Sequence, residues 1–325
     1  MLFRSEIAED KDAYYLPAFI AIATAAGFGV RWLMQIALAR RASMGAPYIV
    51  GAMAIVLTSV TAFASNWPFN NRRQYFIAND YVENLFSTIA PDGLLLTQDW
   101  QVVSPMFYAQ EIEQRRRDVK VIDINLLRRS WYFDYLRHAH PALIERSHDK
   151  IEPYLELLRL WERDPGAFDR NRDLSGRIST AFLDLVRSMV QNEIRVASVY
   201  ITNDVLSADK TNGYLTQWIP QTYQLVPQGL VFNLTTDQSF HDPPEPQLRT
   251  RGLADGTLRF ADDDVVKLKV LPAYARMLTN RGRYLASYNQ NDRAILAFKE
   301  ALALDPNLPA AQQGLSASTA KIAKP

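Results

Sequence analysis

The residues best placed for chemistry follow the short apolar run "GLLLT". Asp99 comes two positions after Thr97, the last residue of the run, and Trp100 stands next to it. If the run is a strand, Asp99 lies at its carboxyl end, where open α/β sheets bind ligands. We therefore interpret Asp99 and Trp100 as candidate ligand contacts. The alternative is a loop carboxylate that caps or orients the turn, and a single acid is consistent with both interpretations.

Asp80 and Asn84 form a second polar pair, four positions apart in the stretch "ANDYVENLFSTIAP". The apolar residues of this stretch recur at helical spacing, which places both polar side chains on one face of a helix. They are further candidate ligand contacts. The alternative is that they tie the helix to the edge of a sheet.

Other polar clusters lack the spacing that their chemistry needs. His138 and His140 point to different faces of a helix end and have no acidic partner at zinc-like spacing. The run Asp262–Asp264 lacks the glycine and the alternation of a calcium loop. The sequence contains no phosphate-binding glycine loop and no nucleophile elbow. We therefore predict no catalytic residue, no metal site and no cofactor.

Composition excludes several functional classes. The 325 residues carry a net charge of +1, so the chain has no electrostatic footprint for nucleic acid, and we predict no nucleic-acid partner. There is no cysteine, which excludes disulfides and thiolate chemistry.

Two long apolar runs precede the polar part of the chain. We predict transmembrane helices over 14–39 and 47–67, in a membrane domain covering 1–69, because each run supplies about 20 mainly apolar residues. The lipid bilayer is then a partner. Arg31 interrupts the first run and must reach the interface or a partner. Arg40 and Arg41 favour a cytoplasmic loop and hence an extracytoplasmic domain after Asn70. The alternative, a buried helical hairpin in a soluble protein, would need a cover that the rest of the chain does not supply.

The remainder is predicted to be an α/β domain over 70–248 with a small, mostly parallel sheet. The predicted strands are "GLLLT", "VKVIDI", "VASVYIT" and two short strands in "YQLVPQGLVFNL". Between the first two strands we predict a helix capped by Ser104 with Pro105 at its first position. The polar segment 249–264 is predicted to be a linker.

The tail, 265–325, is predicted to be helical and similar to one tetratricopeptide repeat. The small and aromatic residues of "AILAFKEALALDP" and of the preceding helix occupy the packing positions of such a repeat. These positions are Gly282, Ala294, Phe298, Ala301 and Pro306. One repeat cannot bury its own face, so we expect it to lean on the α/β domain.

Several stretches together resemble a family of multi-spanning membrane proteins of unknown function related to protein O-mannosyltransferases. They are "DKDAYYLPAFIAIA", "NDYVENLFSTIAPDGLLLTQDW", "SPMFYAQEIEQRRRDVKVIDINLLRRSWY" and "YQLVPQGLVF", in an order and spacing that cover most of the chain through Phe232. Members of this family look like GT-C glycosyltransferases, which take sugar from a lipid-linked donor on the extracytoplasmic face.

The resemblance implies an integral membrane protein of the inner or plasma membrane whose C-terminal domain is extracytoplasmic. The family's catalytic acids lie in an early extracytoplasmic loop that has no counterpart here, so no catalytic residue is carried over. The expected role is a non-catalytic module that contacts the acceptor protein or braces a catalytic core. That core is either the rest of a longer chain or a separate subunit. The alternative function is a membrane-tethered scaffold that recruits a protein through its helical repeat.

Overall fold

The computed structural model describes residues 16–39, 46–71, 73–206, 213–253, 256–258, 260, 264 and 266–323. The chain divides into two compact units, Met1–Arg73 and Gln74–Pro325. The loop arginines Arg40 and Arg41, on which the predicted topology depends, lie outside the described residues, as do Asp262 and Asp263.

The first unit contains two helices, α1 (Leu16–Ala39) and α2 (Ala46–Asn70). Among the described residues, Leu16–Ile36 is the one stretch of helix long and apolar enough to cross a membrane. The prediction of two spans is therefore corrected to one candidate span. Among the residues that the structure describes, the apolar stretch of α2 is Gly51–Trp67, which is shorter than the roughly 20 residues that a bilayer core needs on average.

The second unit is built on a five-stranded sheet in the order β2-β1-β3-β5-β4. Its strands are β1 (Leu94–Thr97), β2 (Lys120–Asp123), β3 (Val199–Ile201), β4 (Gln224–Gln228) and β5 (Val231–Thr235). β1 pairs in parallel with β2 and β3, whereas β5 runs antiparallel to both β3 and β4. Four strands thus share one direction, as the prediction of a mostly parallel sheet requires. All four residues of β1 are buried, which explains its continuous apolar run.

Helices connect and flank the strands. In chain order they are α3 (Ile77–Thr88), α4 (Trp100–Glu111), α5 (Ser130–Ala139), α6 (Pro141–Arg146), α7 (His148–Arg163), α8 (Pro165–Arg170), α9 (Arg172–Glu193) and α10 (Gly213–Thr222). Single 3-10 turns occupy Leu126–Arg128 and Asn203–Leu206.

The predicted start of α4 at Ser104 and Pro105 is wrong. The helix begins five residues earlier, at Trp100, because the Asp99 side chain accepts a hydrogen bond from the Gln101 N–H and caps the first turn. Pro105 lies inside the helix.

The tail forms a π-helical turn (Val266–Val270) and three helices, α11 (Leu271–Ser287), α12 (Asn291–Leu304) and α13 (Pro309–Ile322). Phe298 of α12 is buried, and a Cβ added at Gly282 of α11 would lie 2.6 Å from its ring. Glycine at this position therefore lets the helices approach. Ala294 and Ala301 are buried in the same cluster, and Pro306 lies in the turn before α13.

The tail belongs to the same compact unit as the sheet. Tyr274 and Met277 of α11 lie in the main hydrophobic core, whereas Leu278 and Leu285 of the same helix lie in the smaller tail cluster. One helix therefore contributes to both cores.

Candidate functional site

The carboxyl ends of β1, β2 and β3 meet at one edge of the sheet. The chain leaves β1 for β2 on one side and later returns to β3 on the other side of β1. Such a switch point is where open α/β sheets leave a crevice for ligands. We refer to the residues that follow these three strands as the carboxyl edge.

Asp99 lies at this edge, directly after β1. Its Oδ1 accepts from the Gln101 N–H at 3.0 Å, and its own N–H donates to the Thr97 hydroxyl at 3.1 Å. Asp99 therefore caps α4, which is the alternative role that the sequence analysis gave for this residue. The capping bond uses Oδ1 alone, and Oδ2 makes no hydrogen bond within the described part of the chain. One carboxylate oxygen thus remains available to accept a hydrogen bond from a ligand.

Two exposed tryptophans follow the first two strands. Trp100 opens α4 and is 59% exposed, and Trp131 is the second residue of α5 and is 57% exposed. The segments that carry them are joined, because the Asn125 amide donates to the Gln98 carbonyl at 3.1 Å. Exposed indoles next to polar groups can stack on the apolar faces of a ligand.

Asp204 brings the end of β3 into the same network. Its Oδ2 accepts from the Gln98 N–H at 2.9 Å, and the Gln98 side-chain amide donates to the Asp204 carbonyl at 2.9 Å. Asp123, the last residue of β2, accepts from the Asn125 N–H at 2.7 Å. Three strand ends therefore each contribute one carboxyl group, from Asp99, Asp123 and Asp204.

Burial raises the pKa of all three carboxyl groups, because desolvation disfavours their charged forms. The charge of Asp204 raises the pKa of Asp99 and Asp123 further. Hydrogen bonds from neighbouring backbone N–H groups oppose these shifts, and for Asp99 the charge of Lys269 also opposes the shift. Perturbed carboxyl groups at a switch point are typical of functional sites.

The edge has the chemistry of a binding site for a hydroxylated ligand. Carboxylate and amide oxygens accept hydrogen bonds from hydroxyls, and the indoles offer apolar faces. Among the described residues, no group of three or more His, Cys, Asp or Glu side chains has the arrangement of a metal site.

Asp80 and Asn84 lie elsewhere, buried on α3. Asp80 forms an ion pair with the Arg251 guanidinium, and the backbone N–H of Arg251 also donates a hydrogen bond to the Asp80 carboxylate at 3.2 Å. The Asn84 amide donates to the Arg249 carbonyl at 2.9 Å and to the Tyr274 hydroxyl at 2.8 Å. These contacts hold the segment around 249–251 and α11 on α3. Ligand contact through these residues remains a prediction, as it does for Asp99 and Trp100.

The sequence interpretation missed Asp123, Asp204 and Trp131. The signal that identified Asp99, a polar residue at the end of an apolar strand, also applies to "VKVID" and to "VYITND". Trp131 had no local signal, because its place at the edge depends on the turn that follows β2.

Comparison with known families identifies one similar domain. Residues 78–143, which are 66 of the 325 residues, match the model described as TMEM260-associated domain 2. The match runs from α3 into α6 and includes Asp99, Trp100, Asp123 and Trp131. No curated protein and no solved structure gives a significant match.

Proposed function

We propose that the unit Gln74–Pro325 is a non-catalytic module of a membrane-embedded, GT-C-like glycosyltransferase that uses a lipid-linked sugar donor. Its carboxyl edge contacts the acceptor on the extracytoplasmic face. The observation that carries the proposal is the match of residues 78–143 to a domain associated with TMEM260, a protein related to O-mannosyltransferases. The matched stretch contains two of the three strand ends that build the edge.

The chemistry of the edge supports binding rather than catalysis. An acceptor protein with free hydroxyls can donate to Asp99 and pack against Trp100. Transfer from a lipid-linked donor needs a carboxylate placed to activate the acceptor hydroxyl. The family resemblance implies that this carboxylate lies in the early extracytoplasmic loop of the catalytic core. The candidate span Leu16–Ile36 would keep the module close to a membrane-embedded core.

The alternative function, a scaffold that recruits a partner through its repeat, finds less support. Phe298 packs against Gly282 and Gly314 of the same tail. Arg281 and Arg293 of the repeat bind the chain's own segment 242–245 through carbonyl and carboxylate oxygens. Surfaces of the repeat that would recruit a partner are thus partly used within the chain.

Binding and transfer can be tested separately on the detergent-solubilised chain. A serine- and threonine-rich peptide is titrated while its fluorescence anisotropy is followed, and the same peptide is incubated with polyprenyl-phosphate mannose. We expect saturable binding that Trp100→Ala weakens about tenfold, equivalent to about 1.4 kcal/mol. We expect no sugar transfer above background.

Tyr108→Ala is the matched control, because Tyr108 is an exposed aromatic residue of α4 two turns away from the edge. It should leave binding unchanged. Equal losses in both variants would argue against the edge as the acceptor contact. Sugar transfer that disappears in Asp99→Asn would overturn the non-catalytic assignment.

A further inference from the structure

A polar cavity, separate from the residues of the carboxyl edge, lies between the start of α7 and the last turns of α9. Its volume is about 430 Å³. It is lined by Arg146, Asp149, Lys150, Asp184, Arg187 and the polar residues Ser188, Gln191 and Asn192. Three cationic side chains therefore converge on one cavity.

Arg187 is held in position but incompletely paired. Its guanidinium stacks over the Trp218 ring at 5.5 Å, and the nearest carboxylate oxygen, on Asp184, is 3.6 Å from Nη1. The Nε atom is buried and makes no hydrogen bond within the described part of the chain. A buried atom is closed to a ligand in the cavity, so the Nη groups, whose nearest carboxylate oxygen lies at 3.6 Å, are the donors that a ligand can reach.

Lys150 and Arg146 supply the other cationic groups. The Lys150 ammonium lies 3.6 Å from Asp149 and makes no hydrogen bond among the described residues. Arg146 is oriented by the fully buried Glu193, which accepts from its Nε at 2.6 Å. The Asn192 amide donates to the Arg146 carbonyl at 2.6 Å and fixes the wall between α6 and α9.

The two acids of the cavity are more exposed than the two arginines. The side chains of Asp149 and Asp184 are 69% and 45% exposed, whereas those of Arg146 and Arg187 are 32% and 36% exposed; Lys150, at 48%, is exposed like the acids. The carboxylates are therefore better solvated, and ion pairs of this exposed kind are weak. An anion that enters the cavity meets the guanidinium groups where water screens them less.

We propose that this cavity binds a phosphate-bearing ligand, with the phosphate between Arg187 and Lys150. Arginine presents forked N–H donors that match phosphate oxygens, and lysine adds a compact positive charge. The volume exceeds that of a bare phosphate and falls in the range of small-molecule pockets, so the organic part of a phosphomonoester also fits. Such a phosphate can belong to a free metabolite or to a lipid headgroup.

Isothermal titration of the full chain in detergent tests the proposal, with inorganic phosphate and glycerol 3-phosphate as probes. We expect saturable binding of both, tighter for glycerol 3-phosphate. Arg187→Gln and Lys150→Gln should each weaken binding about tenfold or more. The lysine variant leaves the contact with Trp218 intact and therefore serves if the arginine variant fails to fold.

Arg177→Gln is the matched control, because Arg177 also lies on α9 with an aspartate at 4.0 Å but does not line the cavity. It should bind like the wild type. Absence of binding at millimolar probe, or equal loss in Arg177→Gln, would overturn the proposal.

Nanodiscs of phosphatidylcholine with and without phosphatidic acid separate the two sources of the phosphate, a lipid headgroup and a free metabolite. If phosphatidic acid competes with glycerol 3-phosphate, and Lys150→Gln abolishes this competition, the natural ligand is a lipid headgroup. If phosphatidic acid does not compete, the natural ligand is a free phosphomonoester.

Discussion

At the scale of single residues, Asp204 shows how the carboxyl edge reduces stability. Its pKa is raised because burial disfavours the carboxylate, although Thr202 and the Gln98 N–H bind it. Between the unfolded pKa, about 3.9, and the higher folded pKa, the folded chain holds more protons than the unfolded chain. The free energy of unfolding therefore falls as pH rises through this window and stays reduced above it.

Asp204→Asn should consequently stabilise the chain at pH 7, because the amide keeps an acceptor for Gln98 without a buried charge. The gain should disappear below about pH 4, where both side chains are neutral. Urea unfolding of the two proteins at pH 3 and pH 7 measures the difference. An Asn variant that is less stable than the wild type at pH 7 would show that the ionic hydrogen bonds outweigh desolvation.

Asp237→Asn serves as a control of opposite sign. Hydrogen bonds from Ser239 lower the pKa of this exposed carboxyl group. Its contribution to stability is present above the unfolded pKa and is lost as pH falls through the folded pKa. Replacing it should not stabilise the chain at any pH.

At the scale of elements, the packing of α11, α12 and α13 depends on Phe298. Phe298→Ala should cost about 3–5 kcal/mol, because the side chain is fully buried and leaves a cavity. Gly282→Ala should cost about 1–3 kcal/mol, since the added methyl overlaps the Phe298 ring. The double variant Gly282→Ala/Phe298→Leu should cost less than the sum of its two single changes, because leucine is smaller than phenylalanine and makes room for the added methyl. Thermal unfolding of the wild type, Gly282→Ala, Phe298→Leu and the double variant measures this coupling.

Gly176→Ala on α9 is the matched control, because no atom lies within 4 Å of the added methyl. It should stabilise the chain by about 0.5–1 kcal/mol, as expected for an exposed helical glycine. If the costs of Gly282→Ala and Phe298→Leu add in the double variant, the alanine methyl and the residue at position 298 do not compete for the same space.

Elements were predictable where the signal was local. The buried runs "LLLT" and "VKVID" identified β1 and β2, because a strand covered on both faces is continuously apolar. The start of α4 was missed, because Ser104 and Pro105 imitate a cap that Asp99 already supplies. The edge itself could not be predicted in full, since Gln98 and Asp204 are 106 positions apart. Asp80 and Arg251 are 171 positions apart, so their ion pair could not be predicted either.

At the scale of the whole molecule, one helix accounts for the predicted attachment to a membrane. None of the Leu16–Ile36 window is buried within the chain, so its apolar side chains need another environment. We expect the expressed chain to stay in the membrane fraction after alkaline carbonate extraction. Ala23→Lys combined with Ala26→Lys should release it, because each lysine near the middle of a span costs about 2.5–3.5 kcal/mol.

The same two-lysine change in α2, at Val56 and Val60, is the control for that prediction. These residues are also exposed and apolar, but the apolar stretch that the structure describes in α2, Gly51–Trp67, is shorter than that of α1. If α1 alone holds the chain, the α2 variant remains in the pellet while the α1 variant is released. If the α2 variant is released as well, α2 is also inserted in the membrane. Recovery of the wild type in the supernatant would remove the membrane attachment on which the proposed function depends, because a soluble chain could not accompany a membrane-embedded transferase through its own helix.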